Sequence, residues 1–167
     1  MTSVQYLHPV GRQSRTITWV EDLLAQAAVR ILIVDDFEPW RRFLSSYLQQ
    51  NLAWRIISEA VDGLEAIEKS RELQPDLILL DIGLPKLNGI EAARRIRKIA
   101  PGSKIIFFSE NCCPDIVREA LGAGGRGYVV KDDAVADLMA ALESVIAGKQ
   151  FVGRRFQDRD SSDLAGT

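Results

Sequence analysis

The chain has 167 residues, of which 47% are hydrophobic and 26% charged, and its 21 basic and 23 acidic residues give a net charge of −2. This composition is typical of a globular domain with a full core, and the charge balance gives no global attraction to nucleic acid. The only cysteines are the adjacent Cys112 and Cys113, which excludes a disulfide framework or a cysteine-rich metal centre. No apolar run is long enough for a membrane span, and the polar N-terminus lacks a signal sequence, so we expect a cytoplasmic protein without membrane contact.

The chain divides into one organised domain and two terminal segments. Residues 1–28 form an N-terminal extension, in which a capping-box pattern predicts a short helix at residues 19–28. The regular pattern of the domain occupies residues 29–152. Residues 153–167 are polar and predict a disordered C-terminal tail.

Strands and helices alternate along the domain. Short apolar runs predict strands at residues 30–34, 54–58, 76–80, 104–108 and 128–130. Apolar residues at helical spacing predict one helix that begins near Pro39 and further helices at residues 62–73, 88–99, 114–121 and 134–147. This alternation indicates an α/β domain, in which right-handed crossovers place helices on both faces of a parallel sheet.

Polar side chains follow four of the five predicted strands. Asp35 and Asp36 follow the first, Asp81 the third, Ser109 the fourth and Lys131 the fifth. Taken alone, Asp81 is as compatible with a helix cap or a turn as with a functional site. The carboxyl ends of parallel strands share one edge of the sheet, so we expect all these groups to lie together. Three carboxylates in one place need a cation, for which Mg²⁺ is well suited, and a lysine with a hydroxyl completes a site for a small tetrahedral anion.

Four segments resemble the motifs of a response-regulator receiver domain of the chemotaxis-regulator type. They are Ile-Leu-Ile-Val-Asp-Asp at 31–36, Leu-Asp-Ile-Gly-Leu-Pro-Lys-Leu-Asn-Gly at 80–89, Ser109, and Gly-Tyr-Val-Val-Lys at 127–131. The resemblance covers residues 29–152. It implies a flavodoxin-like (βα)5 three-layer sandwich whose five-stranded parallel sheet has the order 2-1-3-4-5.

The resemblance also implies a phosphoacceptor site. Asp81 would accept a phosphoryl group from a phosphohistidine of a partner kinase. Mg²⁺ would be held by Asp36, Asp81 and the backbone carbonyl of Gly83, with Asp35 contributing through a water molecule. Lys131 would pair with the phosphoryl oxygens.

Two further residues would carry the switch that the resemblance implies. Ser109 would reach towards the phosphoryl group, and Tyr128 would turn inward in step with it. The change would be read on the face formed by the fourth helix, the fifth strand and the last helix, by a downstream protein or a second copy of the chain. We therefore expect a signalling domain rather than an enzyme, partnered by a histidine kinase or phosphotransfer protein and without direct DNA binding.

Two positions depart from the family pattern, and one alternative function stays open. Glu110 stands where receivers usually have a small residue, and Asp132 where many have proline. A haloacid-dehalogenase-type phosphatase is disfavoured because Gly83 occupies the position of its second Asp. The remaining alternative is a pseudo-receiver that acts as an interaction module without phosphorylation.

Overall fold

The computed structural model of the protein describes residues 28–156. The strands are β1 (Val29–Val34), β2 (Trp54–Ala60), β3 (Leu77–Leu80), β4 (Lys104–Ser109), β5 (Gly127–Val130) and β6 (Phe151–Val152). The helices are α1 (Glu38–Leu48), α2 (Gly63–Leu73), α3 (Gly89–Ile99), α4 (Pro114–Gly122) and α5 (Ala134–Ile146), and a 3₁₀ turn spans Lys131–Asp133. None of the helices in this part of the chain has the length and hydrophobicity that a bilayer crossing requires.

The strands form one parallel sheet in the order β2-β1-β3-β4-β5-β6. Helices α1 and α5 pack on one face of this sheet, and α2, α3 and α4 pack on the other. The α/β class and the strand order 2-1-3-4-5 that we predicted are confirmed. The sheet and its two helical layers form the three-layer arrangement in which the carboxyl ends of all the strands point to one edge.

The central strands have no polar face because helices cover them on both sides. In β3, Leu77 and Leu79 belong to the core under α1 and α5, whereas Ile78 and Leu80 belong to the core under α2, α3 and α4. All four side chains are buried. A strand buried on both faces appears in the sequence as an unbroken apolar run, which is why β3 was predictable although it has only four residues.

The structure corrects our expectation for the C-terminal part of the domain. Phe151–Val152 forms a sixth strand, parallel to β5, where we expected five strands. Gly153 N–H donates to the carbonyl of Tyr128 at 3.0 Å, and the ring of Phe156 packs on Tyr128, so residues 153–156 are ordered against the domain. The open edge of β5 carries unpaired backbone groups, and their pairing accounts for this strand. The helix that we predicted at residues 19–28 lies outside the described residues, except for its last one.

Two glycines allow the loop after β3 to pack closely. Gly89 begins α3, and its N–H donates to the carbonyl of Ile82 at 2.9 Å. A Cβ atom on Gly89 would overlap the backbone carbonyl of Asp81, and one on Gly63 would overlap the carbonyl of Leu87. Only residues without a side chain fit at these two positions, so the loop lies tightly against the end of β3.

We expect Gly89→Ala to lower the free energy of unfolding by about 1–3 kcal/mol, because the new methyl group must displace the backbone at Asp81. Gly102→Ala is the matched control, since nothing lies within 4 Å of a Cβ at that position, and we expect a change of at most about 0.5 kcal/mol. Urea titrations of the two variants check this. Equal stabilities for both would contradict the close packing at Gly89.

Candidate functional site

Three carboxylates meet where β1 and β3 end. The strands pair in register up to Val34 and Leu80, so the next residues, Asp35 and Asp81, leave the sheet side by side. One carboxylate oxygen from each of Asp35, Asp36 and Asp81 lies within 4.8 Å of the others. Asp35 and Asp81 are buried, whereas Asp36 is exposed.

The side chain of Lys131 enters this cluster from the end of β5. Its Nζ lies 2.6 Å from Oδ2 of Asp35 and 3.3 Å from Oδ2 of Asp81. The rings of Trp40 and Phe108 flank the ammonium, with centroids 5.6 Å and 5.8 Å from Nζ. The side chain is only 4% exposed, so the ammonium depends on two carboxylates and two aromatic rings in place of water.

Backbone amides fix the orientation of the two buried carboxylates. Oδ1 of Asp35 accepts a hydrogen bond from Phe37 N–H at 2.9 Å, and Oδ1 of Asp81 accepts one from Ile82 N–H at 2.8 Å. Burial raises the pKa of Asp81, and the Asp35 charge adds to this, while Lys131 and the Ile82 N–H act in the opposite direction. Loss of hydration is therefore the largest influence on the Asp81 carboxyl group.

The cluster opens into a cleft of about 470 Å³. Its lining residues are Asp36, Phe37, Asp81, Ile82, Gly83, Ser109, Glu110, Asn111 and Lys131. Ser109 ends β4 and is buried, and its Oγ accepts a hydrogen bond from Asn111 N–H at 3.2 Å. A Cβ atom on Gly83 would lie 3.9 Å from Oδ2 of Asp81, so this position faces the carboxylate without crowding it.

Tyr128 lies behind the cleft in an inward orientation. It is fully buried, and its hydroxyl donates to the backbone carbonyl of Asn111 at 2.8 Å. Burial raises the pKa of Tyr128 to about 12, partly offset by the Ser109 hydroxyl. The hydroxyl thus stays protonated at neutral pH and acts as a hydrogen-bond donor to the loop that follows β4.

The donor set of the cluster fits a hard divalent cation. All its ligand atoms are carboxylate oxygens, and three carboxylates against one ammonium leave negative charge uncompensated. Mg²⁺ prefers oxygen ligands and keeps part of its water shell, which the exposed side of Asp36 and the open cleft allow.

Comparison with known proteins decides the family. Residues 31–143, which are well over half of the chain, match the family profile described as "Response regulator receiver domain". The chain belongs to this family. Its members are signalling domains of two-component systems that generally bind Mg²⁺ at an acidic site, and this receiver has a cluster of three aspartate carboxylates.

Individual relatives agree with this assignment. The receiver is 36% identical over 122 residues to the transcriptional activator protein ExaE of Pseudomonas putida. These aligned residues cover 73% of this chain but only 57% of ExaE. It is 38% identical over 116 residues to the chemotaxis protein CheY of Thermotoga maritima, covering 70% of the chain and 96% of CheY. A LuxR-family two-component response regulator from Aurantimonas sp. SI85-9A1 matches with a TM-score of 0.77 and 29% identity, over 83% of this chain and 99% of that one.

The structure brings together the residues that we singled out from the sequence of this receiver. Asp35, Asp36, Asp81, Ser109 and Lys131 lie at one edge of the sheet, and Gly83 lines the same cleft. Tyr128 lies one layer deeper, where its hydroxyl donates to the loop that follows β4.

Sequence reasoning missed three contacts of the ammonium group, with the rings of Trp40 and Phe108 and with the carboxylate of Asp35. Trp40 packs beside Lys131, although its helical spacing indicated only a core residue of α1. Asp35 holds Lys131 directly, in addition to the metal role that we expected. The one available signal was the position of Trp40 in the first turn of a helix that begins beside Asp35 and Asp36.

We expect Asp81→Asn to stabilise the fold in metal-free buffer at neutral pH, because it removes a carboxylate that burial disfavours. Burial raises the folded-state pKa of Asp81 above its value in the unfolded chain, so the wild-type protein loses stability as pH rises from the unfolded-state pKa through the folded-state pKa. The gain in the variant is therefore present at neutral pH, as a higher Tm, and absent below the unfolded-state pKa, where the carboxyl group is protonated in both states.

Thermal unfolding in EDTA across this pH range measures the difference. Added Mg²⁺ should raise the Tm of the wild-type protein more than that of Asp81→Asn, since one of the three carboxylates is then missing. A Tm difference that does not change with pH would contradict the pKa direction assigned to Asp81.

Proposed function

We propose that this receiver takes a phosphoryl group onto Asp81 from a phosphohistidine of a histidine kinase or phosphotransfer protein in the cytoplasm, and that it signals the change rather than turning over a substrate. The observation that carries the proposal is the position of Lys131, which lies between Asp35 and Asp81 at the base of an open, acidic cleft. Phosphoryl transfer depends on positioning and on charge neutralisation, and a lysine fixed beside a carboxylate at the edge of a cleft supplies both.

In the transfer, an oxygen of the Asp81 carboxylate bonds to phosphorus while the phosphorus–nitrogen bond of the donor breaks and the imidazole leaves with the electron pair. Mg²⁺ held by Asp36, Asp81 and the Gly83 carbonyl, with Asp35 acting through water, would supply neutralising charge for the phosphoryl oxygens. The hydrogen bond from Ile82 N–H holds the Asp81 carboxylate in one orientation for this attack.

Lys131 and Ser109 would contact the phosphoryl oxygens once the group is on Asp81. The Lys131 ammonium is 3.3 Å from Asp81 Oδ2 and needs little movement to pair with a phosphoryl oxygen on that carboxylate. The Ser109 hydroxyl lines the same cleft and donates to a second phosphoryl oxygen. Because Asn111 N–H is bonded to Ser109 Oγ, movement of the hydroxyl also moves the loop that follows β4.

The output surface is formed by α4, β5 and α5, which a downstream protein or a second copy of the chain would contact. Tyr128 connects this surface with the cleft through its hydrogen bond to Asn111. Since β6 pairs with the outer edge of β5, a partner would contact the side chains of α4 and α5 rather than add a strand to the sheet.

Incubation with Mg²⁺ and acetyl phosphate should add one phosphoryl group per chain, and Asp81→Asn should reduce labelling to background. Of the three clustered carboxylates, Asp81 alone both contacts Lys131 and lines the open cleft, because Asp35 does not line the cleft and Asp36 does not contact the lysine. Asp62→Asn is the matched control. Asp62 is buried and caps α2 away from the cleft, and asparagine caps helices equally well. Intact-mass measurement of the three proteins gives the stoichiometry.

Label that survives in Asp81→Asn would refute the assignment of the phosphoacceptor, and normal labelling in EDTA would refute the role of the metal. An unlabelled wild-type protein in Mg²⁺ would favour the pseudo-receiver alternative.

Residues 83 and 111 should set the lifetime of the phosphorylated state, because they flank the cleft beside Asp81 and Ser109. Gly83 has no side chain to obstruct a hydrolytic water, and a side chain added there would extend beside Asp81 Oδ2. We expect Gly83→Arg to slow dephosphorylation about tenfold while Asp81 still accepts the group. We expect Asn111→Ala to alter the rate by a similar factor, since one hydrogen bond in a transition state is worth at most a few kcal/mol.

Decay of the phosphorylated protein after donor removal measures both effects. Gly102→Arg is the control for an added arginine, because position 102 has open space around it and does not line the cleft. Identical decay in all four proteins would show that neither residue governs the water.

A further inference from the structure

A short segment after α5 is held against the domain by contacts with a buried carboxylate of that helix. We call the segment Phe151–Phe156 the C-terminal clasp. Asp137 of α5 is 1% exposed, and its Oδ2 accepts a hydrogen bond from Arg154 N–H at 3.1 Å. Nε of Arg154 lies 3.1 Å from Oδ1 of the same residue. A buried carboxylate without a partner is costly, so Asp137 strongly favours the position in which the clasp lies against α5.

Further contacts along the clasp agree with this anchor. A Cβ atom on Gly153 would come within 2.9 Å of Asp137 Oδ2, so glycine lets the backbone approach the carboxylate. Arg155 donates two hydrogen bonds to Asp133, at 2.9 Å and 3.0 Å. Phe151 N–H donates to the carbonyl of Arg126 at 3.0 Å, which adds β6 to the sheet. The clasp is therefore held at its start, middle and end.

The last residue of the clasp contacts the aromatic residue behind the phosphoacceptor cleft. The rings of Phe156 and Tyr128 meet edge to face, with centroids 5.9 Å apart and an interplanar angle of 89°. Tyr128 in turn donates to the Asn111 carbonyl, and Asn111 N–H donates to Ser109 Oγ. A continuous chain of contacts thus joins the clasp to the hydroxyl that lines the cleft.

We propose that Phe156 is a positioning residue for phosphoryl acceptance, through which the C-terminal clasp holds Tyr128 inward before a phosphoryl group arrives. The inference rests on the proposed function. It assigns a role in phosphoryl acceptance to a segment that lies outside the five βα units. Tyr128 is fully buried, so its ring reaches solvent only if a covering side chain moves. Among the described aromatic residues, Phe107 and Phe156 contact the Tyr128 ring, and Phe107 is fixed inside the sheet.

The coupling must act in both directions. If the clasp and the phosphoryl group favour the same position of Tyr128, each strengthens the binding of the other by an equal factor. One edge-to-face aromatic pair shifts such an equilibrium by about two- to tenfold. Loss of the Phe156 ring should weaken the affinity for a phosphoryl mimic by that factor, and occupation of Asp81 should in turn tighten the clasp.

Fluorine NMR on full-length protein labelled with 3-fluorotyrosine tests the proposal. The chain has three tyrosines, and Tyr128→Phe assigns the signal of Tyr128. In Phe156→Ala, without any phosphoryl mimic, we expect this signal to move towards that of solvent-exposed fluorotyrosine, and in Phe156→Tyr to stay in place. Phe43→Ala is the aromatic control, because its ring stacks on Tyr47 instead and should move only that signal.

Titration with beryllofluoride and Mg²⁺ then measures the coupling. The apparent Kd of Phe156→Ala should rise about two- to tenfold relative to the wild-type protein, and saturation should return the Tyr128 signal to its original position. Arg154→Gln removes the ion pair between the exposed Arg154 side chain and Asp137 but keeps the hydrogen bond from the backbone N–H of residue 154 to that carboxylate, so it loosens the clasp without deleting the anchor. It should shift both readouts in the same direction by a smaller amount.

The outcomes separate this inference from the proposed function. An unchanged Tyr128 signal in both Phe156→Ala and Arg154→Gln would overturn the positioning role. So would a signal that moves while the Kd stays the same, because Tyr128 would then be uncoupled from the cleft. A wild-type protein that binds no beryllofluoride would refute phosphoryl acceptance at Asp81, whereas the mimic-free spectra would still report whether the clasp holds Tyr128.

Discussion

The buried ammonium group of Lys131 is the interaction on which the end of the sheet depends. An ammonium with 4% exposure has lost its water shell, and only the carboxylates of Asp35 and Asp81 and the flanking aromatic rings replace it. The two carboxylates repel each other and are buried, and the cation lies between them, closer to Asp35 than to Asp81. This mutual requirement holds the ends of β1, β3 and β5 in one arrangement, and that arrangement is the site.

Stability and reactivity oppose each other at Asp81. Burial raises the pKa of its carboxyl group, which means that the ionised form destabilises the folded state in the absence of a metal. In the proposed transfer, the same loss of hydration would leave the carboxylate oxygens open to the incoming phosphorus atom and would strengthen the attraction to Lys131. A cation bound beside the exposed Asp36, where ions can enter from solvent, would add positive charge and so reduce the destabilisation caused by the ionised Asp81.

Strand β5 is the element where the site and the surface of the receiver meet. Four residues carry three separate connections: Tyr128 bonds to the loop after β4, the strand leads directly into Lys131, and its outer edge pairs with β6. A displacement of so short a strand cannot be confined to one of these contacts, because the core around it is close-packed. A structural change at Asp81 or at the C-terminal clasp would therefore displace the same few backbone groups of β5.

The sequence by itself determined the α/β class, the order of the five principal strands and the grouping of Asp35, Asp36, Asp81, Ser109 and Lys131. The α/β class and the grouping of these residues depend on local apolar periodicity and on the rule that parallel strands end at one edge, whereas the strand order followed from the resemblance of the motifs to receiver domains. Only the tertiary structure decided what covers the edge of β5, since two residues of strand show no period. It likewise decided which backbone N–H binds the carboxylate of Asp137 in α5 and which two rings lie beside the buried ammonium. These contacts join positions far apart in the chain or on different elements, and their partners are chosen by packing in three dimensions rather than by any pattern along the sequence.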